Sequence, residues 1–168
     1  ELPNVVSEDE MFLVTSGSRD KPILIVFICN HCPYVVHIIE KIVHVSSTYK
    51  EQVDTVFISS NDVGTYPADA PDKMKDFAKE YKFDVPYLYD ESQSVALMFD
   101  ARCTPDFFLY DCSGSLVYGG QFDSSRPGDG ENVTGEDLTK AMDDLLLGNA
   151  ISNDQKPSCG CSIKWKST

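Results

Sequence analysis

The sequence predicts an α/β domain, and three observations predict it. Apolar strand-like runs alternate with helical periods along the chain. Ile23–Ile28 is an unbroken apolar run, rich in β-branched residues, that suits a central strand covered on both faces. After Cys29 the period changes: Val35, Ile38, Ile39, Ile42 and Val45 recur at the spacing of one helix face.

The elements follow in order. Residues 10–15 read as a short leading strand, and Pro22 precedes the central run. Pro33 fits the first turn of the next helix, where no backbone donor is needed. Val53–Ser59 is a second strand. The loop 61–71 carries Pro67 and Pro71, and the helix after it places Met74, Phe77, Ala78 and Tyr81 on one face. Pro86–Tyr89 is a short extended piece and Val95–Phe99 a short helix. Asp106–Tyr110 and Leu116–Tyr118 flank Asp111-Cys112-Ser113-Gly114, whose Asp and Gly are hairpin-turn residues; Cys112 is assigned no role there. Gly119–Asn132 reads as a polar loop. Thr134 is expected to cap a final helix with Asp137 at its N3 position, Leu138, Ala141, Met142, Leu145 and Leu146 as its apolar face and Gly148 as its stop. The domain is thus expected to cover residues 1–149. A tail, 150–168, carries Cys159-Gly160-Cys161 and the only tryptophan, Trp165. Because Ile163 and Trp165 alternate with Lys164 and Lys166, the tail is expected to dock by an apolar face.

Composition excludes several functions. The 168 residues are 42% hydrophobic, too apolar for a disordered chain, and are enough for one domain with a substantial core. A net charge of −13 argues against nucleic acid and anionic membrane surfaces as partners. No apolar run approaches the roughly 20 residues needed to span a bilayer. Glu1-Leu2-Pro3-Asn4 has neither a basic n-region nor an apolar h-region, so the expected location is cytoplasmic, or periplasmic or exported if a leader was removed upstream of Glu1.

The six cysteines carry the chemistry. Cys29 and Cys32 form C-x-x-C where a buried strand turns into an amphipathic helix. Thiol–disulfide exchange needs a thiolate, and a helix N-terminus stabilises one with free N–H donors and a partial positive charge. Cys29 is expected at that helix start as the nucleophile, with Cys32 one turn further in to resolve its mixed disulfide. His31, as an imidazolium, would favour the Cys29 thiolate. Asn30 and His31 in the spacer, with Thr104 and Pro105, are candidates for tuning the pair or binding substrate. A cis Thr104–Pro105 bond would turn Thr104 outward and offer its backbone to an extended substrate. Cys103 next to that loop, and Cys159 and Cys161 in the tail, are candidates for additional redox roles. A C-x-x-C can also be half of a zinc site, completed here by Cys159 and Cys161, but a pair between buried strand and helix favours redox use. No metal and no cofactor beyond the cysteines is expected.

Two signals together, C-x-x-C before a long helix and Thr-Pro before a hairpin, resemble the thioredoxin superfamily. Phe27-Ile28-Cys29-Asn30-His31-Cys32-Pro33-Tyr34-Val35 is more specific. With Ser60-Asn61-Asp62, Tyr87-Leu88-Tyr89-Asp90-Glu91-Ser92-Gln93, Cys103-Thr104-Pro105-Asp106-Phe107-Phe108 and Gly160-Cys161-Ser162-Ile163-Lys164-Trp165, it resembles the peroxiredoxin-like branch, labelled redoxin or alkyl hydroperoxide reductase/thiol-specific antioxidant. The resemblance implies a thioredoxin-like fold: a central mixed sheet with helices on both faces, plus an inserted strand-helix unit. It implies that Cys29 matches the thioredoxin nucleophile and Pro105 the cis-proline loop. The pattern Pro-x-x-x-Thr-x-x-Cys of peroxidases is broken, since counting back from Cys32 puts Cys29 in place of the Thr and Ile25 in place of the Pro. The expected activity is therefore thiol–disulfide exchange, with thiol peroxidase as the alternative and a thiol-based metal carrier less favoured. The expected partners are a disulfide-containing protein or a small thiol or peroxide substrate, together with an electron-donor reductase. An oligomer is compatible with the sequence.

Overall fold

The computed structural model describes residues 1–7, 10–12 and 18–167. Its strands and helices are, in chain order, β1 (Leu2–Pro3), β2 (Met11–Phe12), β3 (Ile23–Phe27), α1 (Pro33–Tyr49), β4 (Asp54–Ser59), a 3-10 turn at Pro67–Asp69, α2 (Pro71–Glu80), β5 (Tyr87–Tyr89), α3 (Ser94–Met98), β6 (Cys103–Thr104), β7 (Asp106–Tyr110), β8 (Leu116–Gly120), α4 (Glu136–Leu147) and β9 (Cys161–Ser162). Of the leading strand expected at 10–15, Met11–Phe12 is formed, and residues 13–15 lie outside the described residues.

The main sheet has the order β5-β4-β3-β7-β8. β5, β4 and β3 run parallel, while β7 and β8 join β3 antiparallel, which makes the sheet mixed. The unbroken run of β3 sits at the centre because both of its faces are covered. Leu24 and Val26 face one apolar layer, and Ile23, Ile25 and Phe27 face the other. Helices α1, α2 and α4 cover the first face through Val35, Ile38, Ile39 and Ile42, through Met74, Phe77 and Ala78, and through Leu138, Ala141 and Met142. The second face is covered more thinly, by Ala96 of α3 together with Leu2 and Ile163. Each fully buried Ile of α1 contributes about 1.5–3 kcal/mol, so the stripe read from the sequence is what fixes this helix to the sheet. This is the layered architecture that the resemblance implies.

The start of α4 departs from expectation. Gly135, not Thr134, is the cap, with a left-handed φ of 71°. Asp137 does not close a capping box, because its carboxylate accepts a bond from Gln121 Nε2 at 2.6 Å. The capping carboxylate comes from further back: Asp123 Oδ2 accepts the N–H groups of Thr134 and Gly135 at 2.7 and 2.6 Å. A Cβ at residue 135 would stand 2.6 Å from the Phe122 ring, so the position takes glycine for space as well as for conformation. The stop at Gly148 is formed, also left-handed with a φ of 71°.

Beyond α4 the chain is tied to the domain along its length. Lys156 O accepts Gln121 N–H at 2.8 Å, and Ser158 Oγ donates to Gly120 O at 2.8 Å. β9 then pairs antiparallel with β6, placing Cys161 opposite Thr104 and Ser162 opposite Cys103. Ile163 is 3% exposed, whereas Trp165 is 42% exposed; the expected apolar face is therefore only Ile163. Main-chain bonds replace the rest of it. Lys164 N–H reaches Asn61 Oδ1 at 2.9 Å, and Gln93 binds Lys164 O at 2.9 Å and Lys166 N–H at 2.8 Å.

Candidate active site

The site forms where β3 ends, α1 begins and the β6–β7 loop passes beneath them. Pro33 occupies the first helical position, so Cys32 is the N-cap of α1. Cys29 lies three residues earlier, on the segment that leaves β3. This corrects the expectation that Cys29 stands at the helix start with Cys32 a turn further in. Both sulfurs are buried, Cys29 being 1% and Cys32 0% exposed. A proline at the first helical position leaves the helix no room to begin at residue 29.

Both sulfurs converge on Thr104, whose bond to Pro105 is cis. Cys29 Sγ lies 3.4 Å from Thr104 Oγ1. The neutral Cys32 thiol donates to Thr104 O at 3.1 Å. The two thiols also hydrogen-bond to each other, and this bond divides their acidities. Cys32 is held below an ordinary thiol, first by the bond from Cys29, then by Thr104 and by the N–H groups of Cys161 and Val35, against the cost of burial. Cys29 is held above it, first by the bond to Cys32, then by burial and by the negative charge of Asp69.

Asp69 is the principal group that sequence reading missed. It is fully buried at the end of the 3-10 turn and accepts three bonds of 2.8 Å, from Asn30 N–H, Asn61 Nδ2 and His31 Nδ1. A carboxylate only accepts, so Nδ1 of His31 carries the proton of that bond. His31 is thus turned toward Asp69, and its ring stacks on Tyr66 with centroids 5.7 Å apart. A ring nitrogen of His31 lies within 4.8 Å of the Cys29 sulfur, and the negative charge of Asp69, beside both, pushes the Cys29 thiol up. Asn30 is pinned at both ends of its side chain: Nδ2 donates to Ala68 O at 2.9 Å, and Oδ1 accepts from the buried Tyr87 hydroxyl at 3.0 Å. The only sequence signal for Asp69 was its place between Pro67 and Pro71, two prolines that fix a turn within reach of residue 30.

Cys29, His31 and Asp69 bring one potential ligand atom each within 4.8 Å of one another. The arrangement is closed by its own hydrogen bonds: Asp69 is committed to three donors and His31 Nδ1 to Asp69.

The other candidate cysteines divide. The Cys161 thiol contacts Cys32 and is pushed up to about 11 by burial first, then by the bond to Cys32 and the charge on it. Cys103 is half-buried, donates to Pro105 O at 3.5 Å and is pushed up to about 12 by burial and by Asp106. Cys159 is exposed, in the stretch that leads into β9.

The family profile described as Redoxin matches residues 2–137. The chain belongs to the redoxin family. Family and fold make this redoxin a redox enzyme of the thioredoxin superfamily. It is 46% identical to an uncharacterized conserved protein from Geobacillus kaustophilus, with a TM-score of 0.93 over 99% of this chain and 88% of that one. It is 44% identical to a hypothetical protein from Sinorhizobium meliloti, with a TM-score of 0.86 over 88% and 81%. A secreted Mycobacterium tuberculosis disulfide oxidoreductase homologous to E. coli DsbE shares the fold at 16% identity and a TM-score of 0.56, over 74% of this chain and 82% of that one. No curated protein matches the redoxin. No helix among its described residues is long and apolar enough to cross a membrane.

Proposed function

We propose that this redoxin is a thiol–disulfide oxidoreductase in which Cys32 supplies the thiolate and Cys29 is its disulfide partner. The observation that carries the reading is the position of Cys32 at the α1 N-cap, directly before Pro33, with its sulfur and that of Cys29 both against Thr104. It exchanges the two roles that the spacing alone suggests. The Cys32 thiolate attacks a substrate disulfide, forms a mixed disulfide and releases one substrate thiolate. Cys29 then attacks Cys32 Sγ, closing the Cys29–Cys32 disulfide, and its proton leaves with the second substrate thiol. The substrate gains two electrons, and an external dithiol reductase restores the pair.

Asn30 and His31, both tied to Asp69, act as positioning residues, and Thr104 and Pro105 form the wall against which an exchanging strand lies, a place that β9 takes in this structure. Suitable substrates are a disulfide-containing protein or a small disulfide. The working compartment is the cytoplasm, or the periplasm or exterior if a leader precedes Glu1. Peroxidase use is less well supported. A peroxide site needs a hydroxyl and a guanidinium beside the thiolate, and the arginines have other partners: Arg19 pairs with Asp54, Arg102 with Asp100, and Arg126 with the main-chain oxygens of Asp123 and Ser125.

Insulin reduction driven by dithiothreitol tests the reading. Wild type should turn over, Cys32→Ser should be inactive, and Cys29→Ser should stall as a mixed disulfide on Cys32. Equal rates in wild type and Cys32→Ser would overturn it. A sulfenate trapped by dimedone at stoichiometric peroxide would favour the peroxidase instead.

A further inference from the structure

Burial of both sulfurs poses a problem for the exchange reading. Cys32 has no exposed surface, so nothing outside the protein meets it directly. What lies against it is the protein's own tail. β9 pairs with β6, so the edge of Cys103–Thr104 that an extended substrate would use is occupied by Cys161–Ser162. The approach is closer than most residues allow: a Cβ on Gly160 would fall 2.1 Å from Thr104 O, so the middle residue of Cys159-Gly160-Cys161 is glycine for contact. The strand is anchored before the cysteines by Lys156 and Ser158 and after them by Ile163, Lys164 and Lys166. Cys161 is thereby held opposite Thr104, whose carbonyl oxygen takes the Cys32 thiol at 3.1 Å, and packs against the buried cluster that contains Cys32 while remaining partly open to solvent.

We propose that Cys161 is a third redox cysteine of this site, presented by the C-terminal strand as a tethered substrate that exchanges with Cys32. The proposal rests on the Cys29–Cys32 reading above and adds the route by which the buried pair reaches the outside. In the oxidised protein the Cys161 sulfur attacks Cys32 Sγ. The Cys32–Cys161 bond forms, the Cys29–Cys32 bond breaks, and the electron pair leaves on Cys29, which takes the proton lost by Cys161. One disulfide is consumed and one is made, so no external electron is needed. An external dithiol then attacks Cys161, the half-exposed sulfur, releasing the Cys32 thiolate; its second thiol displaces Cys161 and carries off the disulfide. Oxidation of Cys32 also prepares Cys161 for its part, because two of the three influences that hold the Cys161 proton in the reduced protein are the bond to Cys32 and the charge on it.

The full chain carrying Cys29→Ser and Cys159→Ser, oxidised with diamide, tests the contact by non-reducing peptide mass mapping. The expected product is a Cys32–Cys161 disulfide; recovery of both as free thiols, or of either joined elsewhere, overturns the proposal. Cys161→Ser in an otherwise intact chain keeps both site cysteines and tests the route. Reduction of the Cys29–Cys32 disulfide by dithiothreitol should slow by about tenfold or more, and an unchanged rate overturns the relay. The two readings fail separately. Insulin turnover by wild type without a Cys32–Cys161 bond removes the relay alone. A protein that never forms Cys29–Cys32 removes the two-cysteine scheme and, with it, the relay that starts from that disulfide.

Discussion

Gly160→Ala separates the tail from the cysteines without touching a sulfur. The added Cβ would stand 2.1 Å from Thr104 O, 2.6 Å from Thr104 C and 3.1 Å from Pro105 N. All three are backbone atoms of the loop that contacts Cys29 and Cys32, and they cannot swing aside as the end of a long side chain would. The overlap must be relieved by lifting β9 off β6. Overpacking of this kind costs about 1–3 kcal/mol. At about 1.4 kcal/mol per factor of ten, the fraction of molecules with β9 undocked rises by about 5- to 150-fold. Cys32 is inaccessible while β9 is docked, so its modification samples the undocked fraction. Iodoacetamide labelling of Cys32, followed by peptide mass, should accelerate by that same factor. Trp165, the only tryptophan, reports tail docking by its emission and should shift in parallel. Labelling of Cys32 at the wild-type rate in Gly160→Ala would refute the idea that the tail covers the sulfur.

Three further outcomes follow from the geometry. In the reduced protein, Cys32 is depressed, so its contribution to stability is fully present above the ordinary thiol value and is lost as pH falls toward its folded value. Cys29 is raised, so its contribution is present below the ordinary value and lost as pH rises past it. Urea melts with a non-thiol reductant should therefore show stability rising toward pH of about 9 and falling above it, by at most about 1.4 kcal/mol per pH unit for each group; a Cys32→Ser protein that keeps the full rise contradicts the assignment. Asp69→Ala strands three donors around a buried void and should cost roughly 3 kcal/mol, lowering Tm by about 6–12 °C in calorimetry; a change under about 1 °C would remove Asp69 as the anchor of Asn30 and His31. Gly135→Ala meets the Phe122 ring at 2.6 Å with a positive φ, and should cost about 2–4 kcal/mol, part of which Phe122→Leu should restore; equal stabilities in a denaturant titration would show that the ring yields freely.

The sheet and its helices were legible because their signals are local. The β3 run, the α1 stripe and the hairpin turn each reside within a few consecutive residues, and burial on two faces or one follows from their period. The start of α4 was read one residue early: Thr134 Oγ1 does accept the Glu136 N–H at 3.3 Å, but Gly135 is the cap, and Asp123, eleven residues before Thr134, takes the N–H groups of Thr134 and Gly135 through the fold. Asp69 was invisible for the same reason: a lone aspartate in a proline-flanked loop looks solvated until the turn carries it under Asn30, Asn61 and His31. The contact of Cys161 with Cys32 depends on a ladder between two-residue strands, which has no periodicity to read.

The place of the two site cysteines relative to α1 is a different case, because the decisive signal was present in the sequence. Reading Pro33 as the first helical residue already makes residue 32 the cap, since the residue before that position is the one whose side chain meets the free N–H groups. Placing Cys29 at the helix start sets it three residues, almost a full turn, too early. The same shift changes what Cys29 is. It becomes the buried group behind Cys32: the contact with Thr104 Oγ1 eases loss of its proton, while the bond to Cys32, burial and the charge of Asp69 act the other way and push the thiol up. A thiol that stays protonated beside a thiolate is suited to wait for a mixed disulfide on its neighbour and is poorly suited to open the attack. The proposed exchange of roles therefore rests on the helix register more than on the C-x-x-C spacing. The fold also sets the tail cysteine on the Cys32 side: β9 pairs at Thr104, whose carbonyl oxygen takes the Cys32 thiol while its hydroxyl is turned to Cys29.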